Sequence, residues 1–168
     1  VDSSAGAVLQ PSGTGELEVS TTTTGADGVI WAVTGCDLRF LPPGDGSGAL
    51  TNWEEYQFCS SSSDQATDIL VSSGSLMIST GANGVYVINY NLSSNQSLVG
   101  IQSIDRWDSG NFLASNRITD LQMMGNQLLI STENAGISRR DMTTSTWLSR
   151  WSTGNALASN NVLGTSVS

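Results

Sequence analysis

The segment Trp107-Asp108-Ser109-Gly110-Asn111-Phe112-Leu113-Ala114-Ser115-Asn116-Arg117-Ile118 recurs 44 residues later as Trp151-Ser152-Thr153-Gly154-Asn155-Ala156-Leu157-Ala158-Ser159-Asn160-Asn161-Val162. Seven of the twelve positions are identical, far beyond chance agreement. A chain with such self-similarity is a stack of one supersecondary unit. Each copy buries its apolar face only against its neighbours.

Further matches extend the register. Thr67-Asp68-Ile69 corresponds to Thr119-Asp120-Leu121, Ile78-Ser79-Thr80 to Ile130-Ser131-Thr132, and Gly84 to Gly136, all at an offset of 52. The difference from 44 predicts an insertion of 8 residues between Gly84 and Trp107. The polar stretch 91–99 is its expected site, as a loop. A weaker third copy aligns Gly28-Val29-Ile30-Trp31-Ala32-Val33-Thr34-Gly35 with Gly74-Ser75-Leu76-Met77-Ile78-Ser79-Thr80-Gly81. Trp53, Trp107 and Trp151 then share one repeat position.

Helical repeats compete for this period, but the local pattern opposes them. Leu76-Met77-Ile78-Ser79-Thr80 and Val85-Tyr86-Val87-Ile88 are short apolar or alternating runs bounded by glycine, as strands are. Gly81-Ala82-Asn83-Gly84 and Glu133-Asn134-Ala135-Gly136 sit where hairpin turns are needed. The period and the pattern together predict an all-β chain of β-propeller blades, each a four-stranded antiparallel sheet. Propellers close with about 4 to 8 blades, so roughly three repeats form an incomplete ring. Expected organisation is a Ser/Thr/Gly-rich segment over 1–27 with a possible strand, repeats over 28–163, and a further strand or tail over 164–168.

These residues resemble the two-component-regulator type of propeller repeat. Phe112-Leu113-Ala114-Ser115-Asn116-Arg117-Ile118 is similar to its blade boundary. Leu129-Ile130-Ser131-Thr132 resembles its apolar strand and Ala135-Gly136-Ile137 the turn that follows. Trp31-Ala32-Val33-Thr34 carries the tryptophan of that strand. The resemblance implies blade architecture in an extracellular or periplasmic setting, not a catalytic site. The chain departs from the family in its few repeats and in lacking a membrane span or signalling domain.

Composition narrows the chemistry. The sequence has no histidine, its 6 cations are all arginine, and its net charge is −9. A Ser–His triad or a histidine zinc site cannot be built from it. The acidic surface repels nucleic-acid phosphate and anionic membrane. No apolar run approaches the ~20 residues that span a bilayer. The chain starts at Val1 rather than methionine, which reads as a processed or excised end.

Candidate sites are few. Cys36 and Cys59 are expected to form a disulfide closing a 23-residue separation in an oxidising compartment. Asn91-Leu92-Ser93 and Asn95-Gln96-Ser97 are glycosylation sequons, with Asn91 and Asn95 as acceptors. Trp53, Trp107 and Trp151 read first as packing between blades; the sharper alternative is a set of stacking platforms for sugar rings. Trp31 and Trp147 read as core or strand residues. Asp68 and Asp120 read as capping carboxylates, and a glycosidase pair is a remote alternative. Asp45-Gly46-Ser47-Gly48 only superficially suggests a calcium loop. The expected function is a non-enzymatic extracellular, periplasmic or cell-surface binding or scaffold module within a larger propeller. The alternatives are a carbohydrate-binding, lectin-like propeller and a segment of a polysaccharide-degrading enzyme. Expected partners are other blades, from this or another chain or by self-association. No cofactor, metal, nucleic acid or membrane insertion is expected.

Overall fold

A computed structural model describes residues 21–24, 28–41, 54–59, 65–72, 74–92 and 98–166. Its elements are twelve strands, with no helix among the described residues. The first sheet contains β1 (Thr21–Thr24), β2 (Ile30–Thr34), β3 (Asp37–Leu41) and β4 (Glu54–Gln57). The second contains β5 (Ala66–Ser72), β6 (Ser75–Thr80), β7 (Val85–Leu92) and β8 (Leu98–Trp107). The third contains β9 (Ile118–Met124), β10 (Gln127–Thr132), β11 (Gly136–Asp141) and β12 (Thr146–Trp151). Each is a four-stranded antiparallel meander in simple chain order, as the repeat requires. Trp53 and Asp45 lie outside the described residues.

The first strands run side by side, β1 against β5 and β5 against β9. Strand β1 falls within the segment set apart as N-terminal, so the first repeat begins before residue 28. Its run of four threonines suits a pleated, half-buried strand but shows no apolar alternation.

The inner strands of the middle sheet, β6 and β7, bury side chains on both faces, and their alternation divides two cores. Leu76, Ile78, Ile88 and Tyr90 join Trp31, Val33, Leu38 and Phe40 of the first sheet. Met77, Val85 and Val87 join Ile118, Leu121, Leu128 and Ile130 of the third. Fully burying one such aliphatic side chain contributes about 1.5–3 kcal/mol, and successive residues on β6 do so in opposite directions.

The expected insertion lengthens the β7–β8 hairpin: within the stretch 91–99, residues 91–92 and 98–99 are strand, and 93–97 lie outside the described residues. Strands β7 and β8 have 8 and 10 residues against 6 and 6 for β11 and β12. Pairing continues past the end of β6 through Tyr90↔Ile101, Asn91↔Gly100 and Leu92↔Leu98, with two register shifts. Tyr90 explains the extension: its ring packs 4.7 Å from Trp31 and is buried in the first core.

Candidate functional site

The repeated motif is accounted for by turn geometry. After Trp107, the Asn111 side-chain carbonyl accepts the Asp108 N–H at 2.8 Å while its amide donates to the Arg106 carbonyl at 3.0 Å. Asn116 accepts the Ser109 N–H through its side chain and the Gly84 N–H through its main chain. The second copy repeats each bond: Asn155 with Ser152 and Arg150, Asn160 with Thr153 and Gly136. Asparagine offers a donor and an acceptor on one short side chain, which a turn returning to its own backbone needs.

The Thr-Asp pairs fasten neighbouring sheets. Thr67 Oγ1 donates to the Ile118 carbonyl at 2.9 Å, and Asp68 Oδ2 accepts the Leu121 N–H at 2.8 Å. One repeat later, Thr119 Oγ1 donates to the Val162 carbonyl at 2.6 Å. Asp120 Oδ2 accepts both the N–H and the hydroxyl of Thr165, at 2.8 and 2.7 Å. Residues 162–165 therefore lie against β9 as the start of β9 lies against β5. Burial is the main cause raising the Asp68 carboxyl above its ordinary value; the hydrogen bonds from Leu121 and Ile69 oppose it.

The candidate tryptophans have separate environments. Trp107 is buried in the core between the second and third sheets, and Trp147 meets it edge-on at 5.3 Å. The Arg140 guanidinium covers both rings, 4.7 and 5.2 Å from their centroids. Its stacking face is thus already occupied. Trp151 is half-buried on β12 and carries the Arg139 guanidinium 4.2 Å above its ring. Cys36 and Cys59 are disulfide-bonded, with Cα atoms 5.0 Å apart. Asn91 is exposed on β7; Asn95 lies outside the described residues.

Repetition did not mark a further candidate surface. A groove of about 340 Å³ lies between the turn after Trp107 and the outer strands of the third sheet, lined by Phe112, Ala114, Ser138, Trp147 and Arg150 among others. Phe112 is 50% exposed, and its ring stacks on Trp147 at 5.5 Å and 11°. Arg139 also lines the groove, its guanidinium anchored to Gln127 Oε1 at 2.7 Å. Burial lowers the Arg140 guanidinium from its ordinary value. No group of three or more His, Cys, Asp or Glu among the described residues is placed to hold a metal ion.

No protein-family model matches the chain, and neither does any curated protein. Solved structures do. The extracellular domain of a hybrid two-component system protein from B. thetaiotaomicron aligns with TM-score 0.58 at 20% identity, covering 85% of this chain and 20% of that one. The extracellular domain of a one-component system protein from the same organism gives 0.58 at 17%, covering 89% and 21%. PorZ, a surface component of the type-IX secretion system of Porphyromonas gingivalis, gives 0.52 at 14%, covering 84% and 27%. The chain spans about a fifth of the length of the first two. These likenesses show the fold: the three sheets are consecutive blades of a partial β-propeller.

Proposed function

We propose that the chain is a non-enzymatic, extracellular or cell-surface scaffold and binding module whose blades stack within a larger propeller. The carrying observation is the repeated Thr-Asp fastening. Thr119 and Asp120 hold residues 162–165 in the geometry with which Thr67 and Asp68 hold β9. Residues 162–165 thus lie where the first strand of a next blade would pack against the third sheet, and Leu163 among them is 79% exposed. Open blade edges carry unpaired backbone groups that favour strand addition. The disulfide supports an oxidising compartment, and the similar solved structures are extracellular domains and a bacterial surface component, which supports that setting. Asp68 spends both carboxylate oxygens on backbone N–H groups and Asp120 spends Oδ2 on the N–H and hydroxyl of Thr165, which supports a structural use for both.

Sedimentation of the purified chain tests the reading. An assembly heavier than the 17.6 kDa chain, dispersed by Leu163→Glu, is the expected result. A monomer whose open flank binds an apolar dye points to blades supplied by another chain. A monomer that binds no dye and is indifferent to Leu163→Glu rejects the proposal.

A further inference from the structure

The second and third blades share a frame, so positions where their side chains diverge are released from architectural duty. Three divergences meet at one groove. The first is Phe112, whose counterpart in the next copy is Ala156. Both residues occupy the same turn, held by Asp108 and Ser152 carbonyls respectively, and alanine satisfies it. The frame does not require a half-exposed phenyl ring there.

The second divergence concerns Arg150, which corresponds to Arg106. Arg106 is neutralised locally: its Nε and Nη2 donate to Asp108 Oδ2 at 3.1 and 2.9 Å. In the third blade Ser152 stands where Asp108 stands in the second. Arg150 has lost that carboxylate, and its guanidinium has no hydrogen-bond or ion-pair partner among the described residues. The third is Arg139-Arg140, which replace Val87-Ile88 at an offset of 52. Arg139 lines the groove, and Arg140 lies 5.2 Å from the Trp147 ring.

In a chain of net charge −9, three of its 6 cations therefore gather around one aromatic groove. No carboxylate lines that groove among the described residues. Its volume falls in the range of small-molecule sites. A guanidinium with free donors recognises carboxylate in a bidentate manner, and the exposed Phe112 edge of the Phe112–Trp147 stack accepts a flat apolar face.

We propose that this groove binds a small anionic ligand combining one carboxylate with one flat apolar ring face, the shared chemistry of acidic sugars and aromatic acids. Arg150 takes the carboxylate, Phe112, backed by Trp147, takes the ring, and Arg139 and Arg140 supply the surrounding positive field. The site lies between the second and third blades, so it stands whether or not further blades stack on the third.

Tryptophan fluorescence titration of the whole chain with glucuronate, benzoate and neutral glucose tests this. Saturable change with glucuronate or benzoate but not glucose is expected, and which acid binds tighter identifies the ligand's source class. Phe112→Ala and Ser152→Asp each copy a side chain that the other repeat already carries in the same frame. They are expected to keep the melting temperature and to weaken binding about tenfold, as loss of one charge-assisted or stacking contact does. No saturable change with either acid, equal response to glucose, or undiminished binding in Ser152→Asp would overturn the proposal.

Discussion

Asp68 of the second blade accepts the Leu121 N–H of the third at 2.8 Å, bridging two sheets with one carboxylate oxygen while the other takes the N–H of Ile69 at 2.8 Å. The bond crosses between first strands, where β5 and β9 lie side by side. Asp68→Ala leaves the partly buried Leu121 N–H without its acceptor. An orphaned buried donor costs about 1–3 kcal/mol, and Asp68→Ala is expected to lower stability by that amount in urea unfolding. Thr119→Ala, which releases only the Val162 carbonyl, is expected to cost less.

The same carboxyl carries a pH signature. Burial raises its folded-state pKa above the ordinary 3.8, with the nearby Asp120 charge adding to the effect. A raised folded pKa means that the folded state binds the proton more tightly than the unfolded chain does. The associated stability is fully present below the unfolded pKa and is lost as pH rises through the folded one. Asp68→Asn cannot take up this proton. The stability advantage of the native chain over Asp68→Asn is therefore expected to shrink as pH rises from 3.8 through the folded value, then to level off. Paired urea midpoints from roughly pH 3 to pH 7 read the difference directly. An advantage that grows over this window contradicts the burial-dominated environment.

Gly84 and Gly136 are required by close backbone approach as well as by conformation. Both have positive φ, 83° and 85°, and a Cβ at either would sit directly on a tryptophan carbonyl oxygen, of Trp107 and Trp151 respectively. Gly125 also has positive φ, 57°, but nothing lies within 4 Å of its Cβ position. Gly125→Ala is expected to cost about 1 kcal/mol, the left-handed penalty alone. Gly84→Ala must in addition push apart two strands of its own sheet, and is expected to cost at least about 3 kcal/mol. Thermal unfolding of the two variants side by side checks the contrast.

How far the fold could be read from the residues follows from what repeats. Trp107, Asn111, Leu113, Ser115 and Asn116 recur because the turn and the core between blades need them, so they revealed the period and the sheets. Strand β1 was harder to read, because Thr21–Thr24 carries no apolar alternation. The ends of the hairpin extension read as loop in the sequence because polar Asn91 hides its pairing with Gly100. The groove was legible only in reverse. Trp107 and Trp151 drew notice by recurring, and the recurring Trp107 is consumed by packing. Phe112 against Ala156, and Asp108 beside Arg106 against Ser152 beside Arg150, are visible as mismatches, but the convergence of Phe112 and Arg150 with Trp147 depends on tertiary geometry that no spacing encodes.

The disulfide makes the first blade's stability separable from that of the others. Cys36 occupies the tight β2–β3 turn, and Cys59 follows β4, where the Phe58 N–H donates to the Cys36 carbonyl at 3.0 Å. The bond therefore ties the outermost strand of the first sheet to its central hairpin. Closing a 23-residue separation removes about 3 kcal/mol of unfolded-chain entropy. The third blade contains no cysteine, and its Leu128 and Ile130 pack in the core shared with Trp107 of the second blade, a cluster separate from the one that holds Trp31 and Phe40. Reduction, or the double change Cys36→Ser with Cys59→Ser, is expected to raise hydrogen exchange in β2, β3 and β4 while β10 and β11 retain protection. The expected loss is about 3 kcal/mol in the first blade. Loss of protection in all three sheets together would instead mean that the blades unfold as one cooperative unit, with Trp31–Tyr90 and the Thr-Asp fastenings coupling them more strongly than the disulfide stabilises any single blade.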